Sequence, residues 1–267
     1  METSPIVQAL ERRIFRSVRA AIIYDRSTIK TAEIPRFEHL YNPINVELIP
    51  TEKFASSKRE LDIIGILGQS ALDLSNAFLS DFNCLKIGFY SIETEMSERN
   101  RSPKLLTAAI TCLGSKSLAD SLRTTVYHFY ESLTLPSLLN IDLADVESIA
   151  RGMGLSFNLT GDSSEDIIAR LPSQSYVARS ALLHFTCARN VTLEEVYRIS
   201  KAISTRRFAG SFVSENPNGN QIKMYKRIRL KMGLRISPGR EINGTNSRIS
   251  LTGILFGLKS QHFYWTP

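Results

Sequence analysis

Asn140, Asp142 and Asp145 stand within six positions of one another in a chain of 267 residues. Two carboxylates three positions apart at a helix start project from one face, so Asp142 and Asp145 can together orient a water or a hydrated cation, with Asn140 adding an amide. The same residues are also ordinary helix starters: Asn140 or Asp142 would cap exposed N–H groups, and Asp145 would favour the positive end of the dipole. On residue type alone both readings stay open. A second set is cationic. From Ile222 to Ile236 apolar residues alternate with Lys223, Tyr225, Arg227, Arg229, Lys231, Gly233 and Arg235. That period predicts one long strand with a buried face and a basic face. Lys223, Arg227, Arg229, Lys231 and Arg235 would suit nucleic acid, an anionic membrane or an acidic partner, while the plainer reading is a solvated outer face of an antiparallel sheet. Tyr225 is the one aromatic residue in the stripe, which does not indicate base stacking.

The charge behind this stripe is local. Residues 206–267 contain eleven Lys or Arg and two acids, Glu215 and Glu241, which leaves residues 1–205 at a net −2 within an overall +7. Whole-chain charge is therefore a poor guide to partners. Four histidines, His39, His128, His184 and His262, show no His-x-x-x-His spacing, and Cys84, Cys112 and Cys187 fit neither a zinc pattern nor a disulfide framework. No metal site is expected, and the cysteines read as buried thiols. With 43% hydrophobic and 22% charged residues the composition is that of a globular protein. The longest apolar runs fall far short of a membrane span, and Met1–Leu10 lacks a basic-then-apolar leader, so the expected location is cytoplasmic.

The elements that must position these residues follow from period and punctuation. Val7 to Ala20 has amphipathic helix spacing, and Ala21 to Tyr24 reads as a short strand. Pro35, Pro43 and Pro50 argue for loop and edge structure between them. Leu61 to Leu67 as a buried strand, Ala71 to Leu79 as a helix and Cys84 to Tyr90 as a strand make a βαβ unit, hence a parallel sheet with flanking helices. A long helical stretch, Leu118 to Gly154, is interrupted near Pro136. Beyond it, Leu155 to Leu159 and Ala181 to Cys187 are expected as strands, and Ser164 to Leu171 and Leu193 to Ser204 as helices, the latter capped by Thr192. Phe208 to Val213 reads as a partner strand to the basic one, joined through the turn residues 215–220. Ser237 to Pro267 is expected as a tail. Its apolar segment Ile249 to Leu258 is either a docking peptide for another protein or a last element packed on its own domain.

The segment Leu135 to Glu147, continued by Gly152-Met-Gly154, resembles the catalytic loop and following helix of FtsZ, the prokaryotic member of the tubulin superfamily. Pro136, Leu138, Asn140, Asp142, Ala144, Asp145, Val146, Met153 and Gly154 meet the family pattern without a gap. Gly161 with Glu165-Asp166, and Thr192-Leu-Glu-Glu-Val196, resemble further family segments in the right order. The resemblance spans about residues 120–236, and residues 7–100 only weakly. It implies an α/β, tubulin/FtsZ-like fold: a parallel-sheet, Rossmann-like N-terminal domain, a long central helix and a small α+β C-terminal domain. The corresponding boundaries are 1–134 for a truncated nucleotide-binding-type domain, 135–154 for catalytic-type loop and helix, 155–236 for the α+β domain and 237–267 for the tail.

The resemblance also implies that Asn140, Asp142 and Asp145 form a catalytic half-site that enters the GTP pocket of a neighbouring subunit. The family's first glycine-rich loop has no counterpart, as if the chain began at helix one; the first glycine is Gly65. The main phosphate loop falls at Gly65, Gly68, Gln69 and Ser70, with Glu95 and Arg99 at the ribose. Phosphates need backbone N–H groups brought close by glycines, and Leu67 projects a side chain there. Own GTP binding, with the Mg2+ that would accompany it, is therefore expected to be weak or lost. The implied function is a cell-division or filament protein that assembles with, caps or modulates polymers of FtsZ-like subunits. Two rivals remain, a self-polymerising GTPase with an atypical phosphate loop and a basic module for nucleic acid or anionic membrane.

Overall fold

The computed structural model describes residues 18–29, 45–54, 60–91, 105–112, 125–134, 138–139, 141–205, 213–215, 221–223, 228–236 and 247–259. Its strands are β1 (Arg19–Tyr24), β2 (Asn45–Pro50), β3 (Ile63–Leu67), β4 (Leu85–Ser91), β5 (Ala108–Cys112), β6 (Gly152–Gly161), β7 (Ser180–Cys187), β8 (Val213–Glu215), β9 (Gln221–Lys223), β10 (Arg229–Ile236) and β11 (Ile249–Leu258). The α-helices are α1 (Thr51–Phe54), α2 (Gly68–Leu79), α3 (Tyr127–Thr134), α4 (Leu143–Ile149), α5 (Ser164–Ala169) and α6 (Leu193–Thr205).

Nine strands form one sheet in the order β10-β7-β11-β6-β5-β4-β3-β1-β2, and β8 and β9 form a separate hairpin. From β2 through β6 every neighbour pair is parallel. Such strands must be covered on both faces, and β1 and β3 accordingly read as near-continuous apolar runs. Ala21, Ile23, Ile64 and Ile66 pack under Ala71, Leu72 and Leu79 of α2. On the opposite face Ile22, Ile63, Ile87 and Phe89 pack under Phe129 and Tyr130 of α3 and Val146 and Ile149 of α4. Burying each of these large side chains contributes about 2 kcal/mol before ordering entropy is subtracted. A second core joins Leu155, Phe157, Leu183, Phe185, Leu251 and Leu255 of the sheet to Ile167 of α5 and Val196, Ile199 and Ile203 of α6. The α6 start is a capping box: Thr192 Oγ1 accepts from the Glu195 N–H at 3.2 Å, and Glu195 Oε2 accepts from the Thr192 N–H at 2.9 Å.

The βαβ unit lies where expected, as β3, α2 and β4, with β3 and β4 parallel. Four expectations need correction. The helical stretch 118–154 breaks between Thr134 and Leu143, on either side of Pro136 as expected, but its second part stops at Ile149, short of the expected end at Gly154. Ala150 leaves the helix with extended backbone, Gly152 turns the chain at φ +68°, and the alternation Leu155, Phe157, Leu159 then carries β6. The single strand Ile222 to Ile236 is two. Lys223 pairs with Val213 in the hairpin, whereas β10 pairs in parallel with β7 in the main sheet; residues 224–227, and with them Arg227, lie outside the described residues. The expected helix Val7 to Ala20 cannot reach its predicted end, because Arg19 and Ala20 already pair in β1; residues 1–17 lie outside the described residues. Ile249 to Leu258 is no docking peptide. It is β11, buried between β6 and β7 and antiparallel to both, so the packed alternative holds for this segment.

Candidate functional site

The start of α4 is built by a local exchange of hydrogen bonds. Asp142 has extended backbone, and its Oδ1 accepts from the Asp145 N–H at 2.7 Å. In return the Asp145 carboxylate accepts from the Asp142 N–H at 3.4 Å. This reciprocal box satisfies orphan donors of the first turn and fixes both side chains. The capping role and the placement of two carboxylates on one face are thus the same geometry. Asp142 is exposed, and Asp145 keeps about a quarter of its side chain in solvent (25%). Asn140 lies outside the described residues.

Tertiary packing then adds what spacing could not show. The Lys231 ammonium of β10 donates to Asp145 Oδ1 across 86 residues of sequence, so one member of the expected basic face is bound to one member of the expected acidic set. Two positions along, a Cβ on Gly233 would stand 3.0 Å from the Ile141 side chain, so glycine there lets the segment before α4 lie against the strand. The same segment is laced to the strand edge by backbone: Leu138 N–H donates to Leu234 O at 2.7 Å and Leu234 N–H to Leu139 O at 3.0 Å. Leu230, Met232, Leu234 and Ile236 face the second core as the alternation requires. The opposite face is therefore not an open basic stripe. Arg229 is exposed, Lys231 is paired, Gly233 is covered, and Arg235 is half-buried. The side chain of Lys223 lies outside the described residues.

The residues expected to cradle phosphate are arranged differently. Gly65 is not in a loop. It sits inside β3, paired with Ile22 and Ile87, and a Cβ there would meet the Tyr130 hydroxyl at 2.8 Å. Its role is to admit Tyr130, whose burial pushes the phenol well above its ordinary pKa. No loop separates strand from helix: β3 ends at Leu67 and α2 begins at Gly68, whose φ is +76°. Gln69 Nε2 donates to Asp73 Oδ1 at 2.7 Å along its own helix. The Ser70 hydroxyl donates to Asp25 Oδ2. Asp25, just past β1, also accepts from Ser27 Oγ at 2.7 Å and from the Ser27 N–H at 2.9 Å. These bonds, Ser70 first, hold its carboxyl below the usual aspartate range. The adjacent Arg26 is paired with Glu52 at 3.2 Å. A triphosphate placed here would find a carboxylate on Ser70 and a cation engaged elsewhere, which fits a nucleotide's phosphates poorly. Leu67, expected to project towards them, is instead fully buried in the core and blocks nothing. Glu95 and Arg99 lie outside the described residues.

Sequence reading missed Asp25. The signal was present as Asp25-Arg-Ser27 immediately after an apolar run, which is Asx-turn chemistry. The two candidate sites are not brought together within the chain, since β4, β5, β6, β11 and β7 stand between β3 and β10. Burial pushes the Cys84 thiol up to about 11 and the Cys187 thiol to about 12; Cys187 is buried as expected, whereas Cys84 is half-buried. Among the described residues no group of His, Cys, Asp and Glu is arranged to hold a metal ion, and no helix is long and apolar enough to cross a membrane.

No protein-family model and no curated protein sequence matches the chain. Solved structures do. An FtsZ W319Y mutant of M. jannaschii superposes with a TM-score of 0.62 at 13% identity, covering 96% of each chain. The empty FtsZ dimer of the same organism gives 0.63 at 14% identity, over 97% of this chain and 94% of that one. TubZ of Bacillus thuringiensis serovar israelensis, in GDP-form protofilaments, gives 0.57 at 8% identity, over 98% and 93%. With a largely parallel sheet that continues into a mixed C-terminal layer, the chain has the tubulin/FtsZ-like α/β fold.

Proposed function

We propose that this is a cytoplasmic, FtsZ-like cytoskeletal protein that assembles with or modulates filaments of FtsZ-like subunits. In this reading it lends the α4 start to a neighbouring subunit's GTP site and binds GTP weakly or not at all itself. The observation that carries the reading is the contrast in accessibility. Asp142 is exposed and held by its capping box at the sheet edge, beside Leu138 and Leu139, which are 68% and 43% exposed. A second subunit can reach that carboxylate, and apolar side chains flank it for contact. Asp145, tied to Lys231, orients the box, and Asp142 is the group free to position a water on the neighbour's phosphate. Polymerisation partners of FtsZ-like type are supported by the fold and by the protofilament form of the TubZ structure.

The test is GTP turnover of a co-purified FtsZ-like partner mixed with wild type, Asp142→Ala and Asp142→Asn. Wild type should change the partner's rate, and the variants should lose that change. Identical rates for all three would sink the reading. Equilibrium GTP binding on the chain alone separates this from a self-polymerising GTPase, for which micromolar affinity is expected.

A further inference from the structure

We infer that Asp25 is a built-in occupant of the α2 start, an intramolecular carboxylate that keeps phosphate-bearing nucleotides away from this end of the sheet. The inference rests on the proposed weak or absent nucleotide binding and names the group responsible for it. Three observations converge. The Ser70 hydroxyl, in the first turn of α2, is taken by Asp25 Oδ2 rather than left for a ligand. The carboxylate is pinned from its own loop by the Ser27 hydroxyl and the Ser27 N–H, and that loop is folded back through Thr28 N–H and Ile29 N–H onto Asp25 O, both at 3.1 Å. The nearest cation of the loop, Arg26, is held by Glu52 of α1, which adds a second negative group. A helix start ordinarily favours an anion. Here a carboxylate of the chain itself already stands against the first turn, bonded to the Ser70 hydroxyl and not to the first-turn N–H groups, and a further anion meets like charge.

The experiment measures equilibrium binding of GTP and of tripolyphosphate, each with Mg2+, to the full chain as wild type, Asp25→Asn and Glu52→Gln. Asp25→Asn is near-isosteric, and its single oxygen can still accept from the Ser70 and Ser27 hydroxyls but not also from the Ser27 N–H, so it should fold with a slightly lower melting temperature than wild type at neutral pH. It should bind both probes at least about tenfold tighter than wild type, as expected for removing one facing charge. Glu52→Gln frees Arg26 without touching the Asp25 contacts and should give a smaller gain, about threefold. Should Asp25→Asn not fold, the Glu52→Gln result decides alone. Gain for GTP but not tripolyphosphate would overturn the phosphate basis of the inference. No gain in any folded variant, with wild type also silent, would overturn the occupant role and leave the proposed function standing. Tight binding by wild type would overturn both.

Discussion

Two ends of the same sheet each hold an aspartate at the start of a helix, and they use it in opposite ways. At α4, Asp142 closes a box with the backbone of its own helix and leaves the rest of its carboxylate to solvent. At α2, the carboxylate comes from a different strand end, Asp25, and is consumed by Ser70 and Ser27. The capping box at α4 leaves its side chain pointing outward, whereas the carboxylate from the neighbouring strand end bonds a first-turn hydroxyl of α2 without capping its N–H groups. In the proposed reading, that difference in origin, rather than the number of acids, separates an end that acts on a neighbour from an end that disfavours a phosphate.

The largest expected effect tests the closed end. Gly65→Val places a branched side chain against the Tyr130 hydroxyl in the packed core and should destabilise by about 3 kcal/mol, read as a lower urea midpoint. A near-neutral result would mean that β3 has room for a ligand loop after all. At the open end, Asp142→Ala should lose about 1 kcal/mol through the missing cap, while Asp142→Asn, still a good cap, should stay within a few tenths. The wild-type effect on partner turnover should be lost in both, so the pair of variants separates capping from chemistry. Lys231→Met removes a pair whose ends are 38% and 25% exposed, so its effect on stability should stay below about 1 kcal/mol in thermal unfolding. The smallest effect is in the acid limb. The Asp25 carboxyl is depressed in the folded state, so its contribution is complete above the ordinary aspartate value, about 3.9, and is lost as pH falls through the lower folded value. Asp25→Asn should therefore show a shallower loss of stability than wild type below about pH 4, followed by melting temperature across pH.

Legibility in the sequence followed the range of the contact. The unit Ile63 to Ser91 was readable because an apolar run, a helical spacing and a second run sit side by side, and the Thr192 cap because its partner is three residues away. The α4 start was readable as a pattern, yet two descriptions of it, cap and acidic pair, turned out to be one geometry. The Lys231–Asp145 pair spans 86 residues and the Ser70–Asp25 contact 45, and no local period encodes either. Ile249 to Leu258 shows the same limit. Its apolar run announced burial, but its insertion between β6 and β7 depends on strands that end nearly ninety and sixty residues earlier. The helix expected through Gly154 failed because Leu143, Val146 and Ile149 have helical spacing up to the point where Gly152 and the period-two alternation take over.

The parallel pairing of β5 with β6 joins Ala108–Cys112 to Gly152–Ser156 in five successive register pairs. Because β6 also carries β11 on its other side, the two hydrophobic cores share one hydrogen-bonded plate. Rotating one half against the other would tear that ladder, so mechanical load arriving at the α4 edge should pass to the β2 edge through backbone and leave the molecule stiff along its width.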